Sequence, residues 1–211
     1  MSSRELKKLF TVLVLIILAA LSCISPPRSF GDVLLNHVGT VLVLLLLVLD
    51  IYKRFLSYPS FLGIALFCAF HILGARYLYS FVPYNEWSVT VFGWDMDAYF
   101  NFTRNHYDRL VHFIFGILIF PFLLEWFSRK NKMQYRHAIL FAWLTLQSFS
   151  MIYELIEWCV ALLFSVKSAE NYNGQQGDVW DAHKDMALAL LGSTMAAVYY
   201  FFRDEKKIYT S

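Results

Sequence analysis

Six apolar segments recur along the chain, and they restrict its fold more than any other feature. They cover residues 10–24, 33–49, 61–78, 110–127, 138–164 and 182–202. Most of them approach the ~20 residues that an α-helix needs to cross the hydrocarbon core of a bilayer. Because their apolarity is continuous rather than alternating, they are typical of membrane helices and not of membrane strands. The sequence therefore predicts an all-α, polytopic membrane bundle of six transmembrane helices, with residues 1–211 forming a single integral membrane domain.

The basic residues predict how this bundle is oriented. The chain is only 16% charged, and twelve of its eighteen Lys and Arg residues fall on one side of the bundle, namely Arg4, Lys7, Lys8, Lys53, Arg54, Arg129, Lys130, Lys132, Arg136, Arg203, Lys206 and Lys207. The positive-inside rule places that side, and with it both termini, in the cytoplasm. The net charge of +2 is accounted for by this topology signal. The lipid bilayer is therefore the expected partner, and no nucleic acid is expected.

The first segment has a second interpretation. Its basic start, its short apolar run and the small residues Ala19 and Ala20 also describe a secretory signal. Leu21 fits a lipoprotein signal poorly, so an uncleaved anchor is expected. Cleavage would leave the rest of the topology unchanged.

Three carboxylates mark the start of the last segment. Asp178, Asp181 and Asp185 follow a spacing of i, i+3 and i+7, which predicts that all three project from one face of a helix. Acids are favoured at a helix start, but three on one stripe exceed what capping needs. Ionisable groups at the edge of a membrane are functional candidates, so this stretch indicates a site.

Two other segments bring polar groups to the same depth. Asp108 and His112 lie one turn apart at the outer end of the fourth segment, and Glu154 and Glu157 lie one turn apart in the outer half of the fifth. At ~1.5 Å per residue, His112, both glutamates and Asp185 fall within roughly 6 to 12 Å of the outer helix ends. The sequence therefore predicts one polar layer on the outer side.

This layer, which the aromatic-rich loop 80–106 is expected to cover, carries more acids than bases. Carboxylates crowded at low dielectric must be protonated, paired or bound to a cation, and oxygen and imidazole ligands suit zinc, manganese or magnesium. The predicted ligands of one divalent metal ion are Asp108, His112, Glu157, Asp178, Asp181 and Asp185, and the predicted catalytic residues are His112 and Glu154. The predicted substrate or anion contacts are His71, Arg76, Arg109 and Lys184. For Arg76, snorkelling towards the outer surface is an equal alternative.

Three functions remain open at this stage. The first is a metal-dependent enzyme that acts on a lipid or cell-envelope substrate. The second is a transporter or channel that moves protons or cations with the same acids. The third is a structural polar network in which Lys184 and Arg109 neutralise the acids. Apart from Glu125, Gln147 and Ser150, the inner half of the bundle offers few polar residues, which favours a one-sided site over a conduit.

Five motifs lie between residues 71 and 186: His71-x-x-Gly74-x-Arg76-Tyr77-x-Tyr79, Val82-Pro83-Tyr84, Tyr107-Asp108-Arg109-x-x-His112-Phe113, Tyr153-Glu154-x-x-Glu157-Trp158 and Gln176-Gly177-Asp178-x-Trp180-Asp181-x-x-Lys184-Asp185-Met186. Together they closely resemble the YjdF-like inner-membrane proteins of bacteria. The resemblance covers roughly residues 71–192 and implies a multi-pass protein of the bacterial inner membrane, without implying an activity. The family pattern tends to have Thr in place of Gln175 and Gln in place of His183, which argues against either residue as a ligand. A fainter likeness to VanZ-like membrane proteins lies in the order His, Glu and then an Asp-rich helix start, and it carries no activity either.

Overall fold

The structure is a computed structural model that describes residues 2–27, 29–163 and 172–203, and the regular structure of these residues is entirely helical. The helices are α1 (Ser3–Ser22), α2 (Phe30–Lys53), α3 (Tyr58–Arg76), α4 (Tyr84–Phe92), α5 (Met96–Phe100), α6 (Tyr107–Glu125) with a π-helical turn (Trp126–Lys130), α7 (Tyr135–Leu163) and α8 (Asp181–Phe201). The all-α prediction is confirmed. Residue 164 at the end of the fifth segment, the outer residues 165–171, and the basic Lys206 and Lys207 lie outside the described residues.

Within the described residues, four helices are long and apolar enough to cross a membrane: α2, α3, α6 extended through its π-helical turn, and α7. α1 and α8 have 20 and 21 residues, but they are more polar. α1 carries Arg4, Glu5, Lys7 and Lys8 in its first turns, and the middle of α8 contains a Gly-Ser-Thr run at 192–194. The structure therefore supports an integral membrane protein with four candidate spans, and a six-span topology stays a prediction.

α6 and α8 pack side by side with their backbones in contact. A Cβ atom at Gly192 would overlap the carbonyl oxygen of Phe113, and one at Gly116 would overlap the backbone of Ala189 and Ser193. Small residues permit such close approach between membrane helices, where van der Waals packing replaces the hydrophobic effect as the main attraction. This contact sets the register of the two helices and brings their first turns together.

Two buried carboxylates tie helices together at the opposite end of the bundle. Asp50 of α2 forms an ion pair with Lys8 of α1, and both side chains are at most 4% exposed. Glu125 at the end of α6 pairs with Arg129 at 3.1 Å. It also accepts hydrogen bonds from the backbone N–H and the hydroxyl of Ser57, ahead of α3. Both acids therefore have structural partners and lie away from the predicted polar layer.

Candidate functional site

Asp181, the first residue of α8, is held by two arginines. Arg104 donates to both carboxylate oxygens of Asp181, at 2.5 and 3.2 Å, and Arg109 donates to one of them at 3.3 Å. Arg109 and Lys184 also donate to Asp178, Lys184 at 2.6 Å. The hydrogen bond from Lys184 is the largest cause that lowers the pKa of Asp178, to about 2. We call these five residues the outer ion-pair network, and in it three cations neutralise two carboxylates.

Asp178 does not lie on the helix, in contrast to the expectation from the i, i+3, i+7 spacing. α8 begins at Asp181, and Asp178 lies in the preceding turn, where its carboxylate accepts a hydrogen bond from the backbone N–H of Trp180 at 3.1 Å. Aspartate favours such turns because its short side chain can bind the backbone two residues on. Asp181 and Asp185 do share a helical face one turn apart, and both are buried.

Arg104 is the site residue that the sequence did not reveal. It lies in the loop between α5 and α6, where no helical periodicity orders the side chains, and its partner Asp181 comes 77 positions later. The same guanidinium donates to the carbonyl oxygens of Gly174 and Gln175, at 3.0 and 2.8 Å. The predicted covering loop therefore contacts the segment ahead of α8. The sequence signal that points to Arg104 is indirect: buried acids demand a nearby cation.

Asp108, His112 and Asp185 form a second group, within the first two turns of α6 and α8. One ligand atom from each lies within 4.8 Å of the other two, and all three residues are buried. Nε2 of His112 is 3.8 Å from Asp108 and 3.6 Å from Glu154 of α7. Glu157, one turn beyond Glu154, lies within hydrogen-bonding reach of it. We call these five residues the buried cluster, and three helices contribute to it.

The buried cluster lacks the cations of the outer ion-pair network. Within the described residues, its four carboxylates form no ion pair with Lys or Arg, and their one basic contact is His112. Oε1 of Glu154 and Oδ1 of Asp185 are buried and have no hydrogen-bond partner in the part of the chain that the structure describes. Burying a carboxylate without compensation is costly, so protons or a cation must complete the cluster.

His71 and Arg76 belong to neither group. Arg76 donates to three carbonyl oxygens at the end of α1, the closest being that of Ser22 at 2.9 Å. Basic side chains stabilise helix ends in this way, so Arg76 has a structural role, and its anion contact stays a prediction. Nε2 of His71 donates to the carbonyl oxygen of Asn36 at 3.1 Å, which leaves Nδ1 to accept the hydroxyl hydrogen of Tyr79.

A cavity of about 260 Å³ adjoins the buried cluster. Its lining includes Asp108 and His112 of the cluster, together with His71 on the facing side. Although these side chains are buried, a ligand that enters the cavity can therefore reach a carboxylate and an imidazole.

The donor set of the buried cluster is limited to carboxylate oxygens and imidazole nitrogens, which suits a hard or borderline divalent ion. Such ions hold their ligands at ~2.0–2.6 Å, so small side-chain rotations would bring Asp108, His112 and Asp185 onto one ion. The neighbouring carboxyl pair, Glu154 and Glu157, can hold or release a proton. The arrangement can therefore support metal-assisted chemistry or proton transfer.

Comparisons with known proteins identify the family. Residues 7–206 match the model of the family described as "Predicted membrane protein (DUF2238)". The chain is also 29% identical to inner membrane protein YjdF of Escherichia coli (strain K12) over 167 residues, which is 78% of this chain and 76% of the relative. No solved structure matches the chain. The resemblance to YjdF-like proteins and the inner-membrane location are thus confirmed, and the chain belongs to the DUF2238 family of membrane proteins.

Proposed function

We propose that the buried cluster binds one divalent cation and that this cation serves an enzyme acting on a lipid or cell-envelope substrate. The observation that carries the proposal is the convergence of ligand atoms from Asp108, His112 and Asp185 within 4.8 Å. It is supported by the buried oxygens of Asp185 and Glu154, which find no hydrogen-bond partner in the described part of the chain. Zinc, manganese or magnesium would satisfy these oxygens and balance the excess of acids.

Each member of the cluster has a distinct role in this proposal. Asp108, His112 and Asp185 hold the ion, which polarises a phosphoryl or carbonyl oxygen or activates a water molecule. Glu154 lies 3.6 Å from His112 and serves as the general base. Glu157 holds Glu154 in place by sharing a hydrogen bond with it, which requires a proton on one of the two.

Asp178 and Asp181, which the sequence also predicts as ligands, take a different role in this proposal. Their carboxylate oxygens are engaged by Arg104, Arg109 and Lys184, so they are less available to a metal ion. We assign Asp178 and Asp181 a structural role, which is to hold the covering loop over the outer end of the site. Arg104, which pairs with Asp181, also joins this loop to the segment before α8.

The topology we propose has six transmembrane helices and both termini in the cytoplasm. α1 and α8 would cross the membrane beside the four candidate spans, since each has at least 20 residues and packs along one of them. The buried cluster then faces the extracytoplasmic side, where a lipid or envelope substrate is accessible.

The metal content of the purified protein tests the proposal. Wild-type protein extracted in detergent without chelators should hold about one zinc, manganese or magnesium ion per chain by inductively coupled plasma mass spectrometry. Asp108→Asn and Asp185→Asn should lose the ion, whereas Asp181→Asn should keep it as the matched control. Metal-free wild-type protein that is still folded would refute the proposal, and the cluster would then be a structural network whose substitution lowers the melting temperature.

The general-base role needs a separate measurement. Glu154→Gln should keep the metal ion but abolish the conversion of lipids in reconstituted vesicles, followed by mass spectrometry of the lipid products. Gln147→Leu, on the same helix but away from the cluster, is the control that should keep both. Full conversion by Glu154→Gln would remove that residue from the mechanism.

A proton- or cation-coupled transporter is the second candidate function, because polar side chains continue between α7 and α8 below the cluster. Gln147 donates to Ser193 at 2.8 Å, and Trp143 donates to Thr194 at 3.0 Å. Uptake of protons or cations into proteoliposomes that is lost in Glu154→Gln would favour this function over the enzyme.

A further inference from the structure

A lateral groove separates α2 from α7. The cavity beside the buried cluster is walled by Gly39 and Val43 of α2 on one side and by Phe149 of α7 on the other. A second hollow continues in the direction of the π-helical turn, between Leu46 of α2 and Thr145 of α7, and Phe149 lines both. The two hollows meet at Phe149, and we call the two together the groove between α2 and α7.

The groove exists because of how the helices pair. α2 packs against α1 and α3, whereas α7 packs against α6 and α8, so in the described residues these two helices do not pack on each other. α6 forms the floor of the groove from His112 to Trp126. The fourteen steps between these residues, at ~1.5 Å each, give a length of about 21 Å. One leaflet occupies about half of a ~30 Å hydrocarbon core, so the groove is long enough for one acyl chain.

The groove opens towards lipid. Both α2 and α7 are candidate spans, and the residues at its rim are apolar and exposed, with Leu45 at 61%, Leu49 at 50% and Phe149 at 46%. In a bilayer, such a rim faces acyl chains, so a hydrocarbon chain can enter sideways without crossing water.

One end of the groove is polar. His71, Asp108 and His112 line it there, and so does Ser150 of α7. The Ser150 side chain is buried, at 2% exposure, and its hydroxyl has no hydrogen-bond partner among residues 2–27, 29–163 and 172–203. Helical serines often bond the carbonyl four residues back, but the Ser150 hydroxyl does not. It is therefore available to a ligand in the cavity. A molecule with an oxygen-bearing head and a long apolar tail matches the groove at both ends.

We propose that this groove binds one acyl chain of a phospholipid, with the ester-linked glycerol end against Ser150 and next to the buried cluster. A phospholipid is then the substrate class of the proposed enzyme, and the catalytic role of the groove rests on that proposed function. Lipid enters between α2 and α7, and its glycerol end lies beside Asp108 and His112, the residues that would hold the cation.

Photochemical labelling tests the occupant directly. Full-length protein is reconstituted in vesicles of phosphatidylethanolamine and phosphatidylglycerol that contain a phosphatidylethanolamine with a diazirine in one acyl chain, then irradiated and mapped by peptide mass spectrometry. We expect groove residues such as Val43 and Thr145 to be labelled several-fold more than Leu34 and Leu42, which face lipid outside the groove. Equal labelling of the groove and the outer surface of α2 would overturn the inference.

Two pairs of variants sharpen the result. Val43→Trp and Thr145→Trp, each of which fills part of the groove, should reduce groove labelling several-fold. Leu42→Trp and Leu144→Trp, at neighbouring exposed positions, should leave it unchanged. If one groove variant does not fold, the other still shows whether filling the groove reduces its labelling. Unchanged labelling in a folded groove variant would also overturn the inference.

Measuring the bound metal ion together with the groove labelling distinguishes this inference from the proposed function. Asp185→Asn should keep the labelling of the groove while it loses the bound ion. A labelled groove in a wild-type protein that carries no metal would refute the cation enzyme and retain the lipid site. A wild-type protein that binds metal but whose groove is not labelled would refute the lipid site and retain the cation enzyme.

Discussion

Arg104 and Asp181 face each other through two hydrogen bonds, at 2.5 and 3.2 Å, although 77 positions separate them in the sequence. Both side chains are nearly inaccessible, with Arg104 at 9% and Asp181 at 3% exposure. This bidentate pair, the strongest geometry for an arginine and a carboxylate, joins the covering loop to the start of α8. It also removes Asp181 from the acids that need a cation, so among the described residues of the two groups the excess of negative charge lies in the buried cluster.

Replacing Arg104 should destabilise the protein. Arg104→Gln leaves the buried carboxylate of Asp181 without its main partner. Breaking a buried ion pair costs up to about 3 to 5 kcal/mol, and the remaining contact with Arg109 reduces this cost. Thermal unfolding in detergent should show a clear drop in melting temperature, and the double variant with Asp181→Asn should recover part of it. Arg54→Gln is the control, because Arg54 is 69% exposed and solvent screens its pair with Glu5, so this pair contributes little to stability. Equal melting temperatures for the two single variants would contradict this account.

The contribution of Asp178 should persist to low pH. Its pKa is lowered from 3.8 to about 2, chiefly by the hydrogen bond from Lys184. A carboxylate with a lowered folded-state pKa contributes stability that is fully present above its unfolded pKa and is lost as the pH falls through the folded value. The difference in melting temperature between wild type and Asp178→Asn should therefore be constant above about pH 4 and vanish towards pH 2. A difference that already disappears between pH 6 and pH 5 would show that Lys184 does not hold Asp178.

The glycine contact between α6 and α8 should be intolerant of side chains. In Gly192→Ala the new Cβ would overlap the carbonyl oxygen of Phe113, so the helices must separate, at the roughly 1 to 3 kcal/mol typical of overpacking. Because the same contact sets the distance from Asp108 to Asp185, the variant should also bind metal more weakly, as titration of detergent-purified protein would measure. Gly31→Ala is the control, since a Cβ there approaches the Ser29 hydroxyl no closer than 3.9 Å. Unaltered stability and metal content in Gly192→Ala would exclude a role for this contact.

The topology can be checked with reporters. A fluorescent protein that folds only in the cytoplasm should fluoresce when it is fused to the C-terminus, and alkaline phosphatase fused there should be inactive. Alkaline phosphatase fused after Trp94, in the loop between α4 and α5, should be active, because that loop lies on the opposite side. The reverse pattern would invert the orientation and turn the buried cluster towards the cytoplasm.

Much of the architecture is a local property of the chain. Apolar runs near the length of a bilayer form helices because lipid offers no other partner for backbone N–H and C=O groups. Within a helix, residues at i and i+4 share a face whatever packs against it, so Asp108 with His112 and Asp181 with Asp185 could be paired from spacing alone. Positions just ahead of a helix do not follow that rule, and Asp178 lies in a turn instead.

Only the tertiary structure decided which acids have partners. Asp181 pairs with an arginine from a loop that has no periodicity, whereas Asp185, one turn later, reaches His112 and Asp108 across the glycine contact of α6 and α8. The groove between α2 and α7 likewise depends on which helices pack together. Such relationships join positions tens of residues apart, and their geometry is determined by helix packing and charge pairing in three dimensions, which the spacing of residues within one segment does not encode.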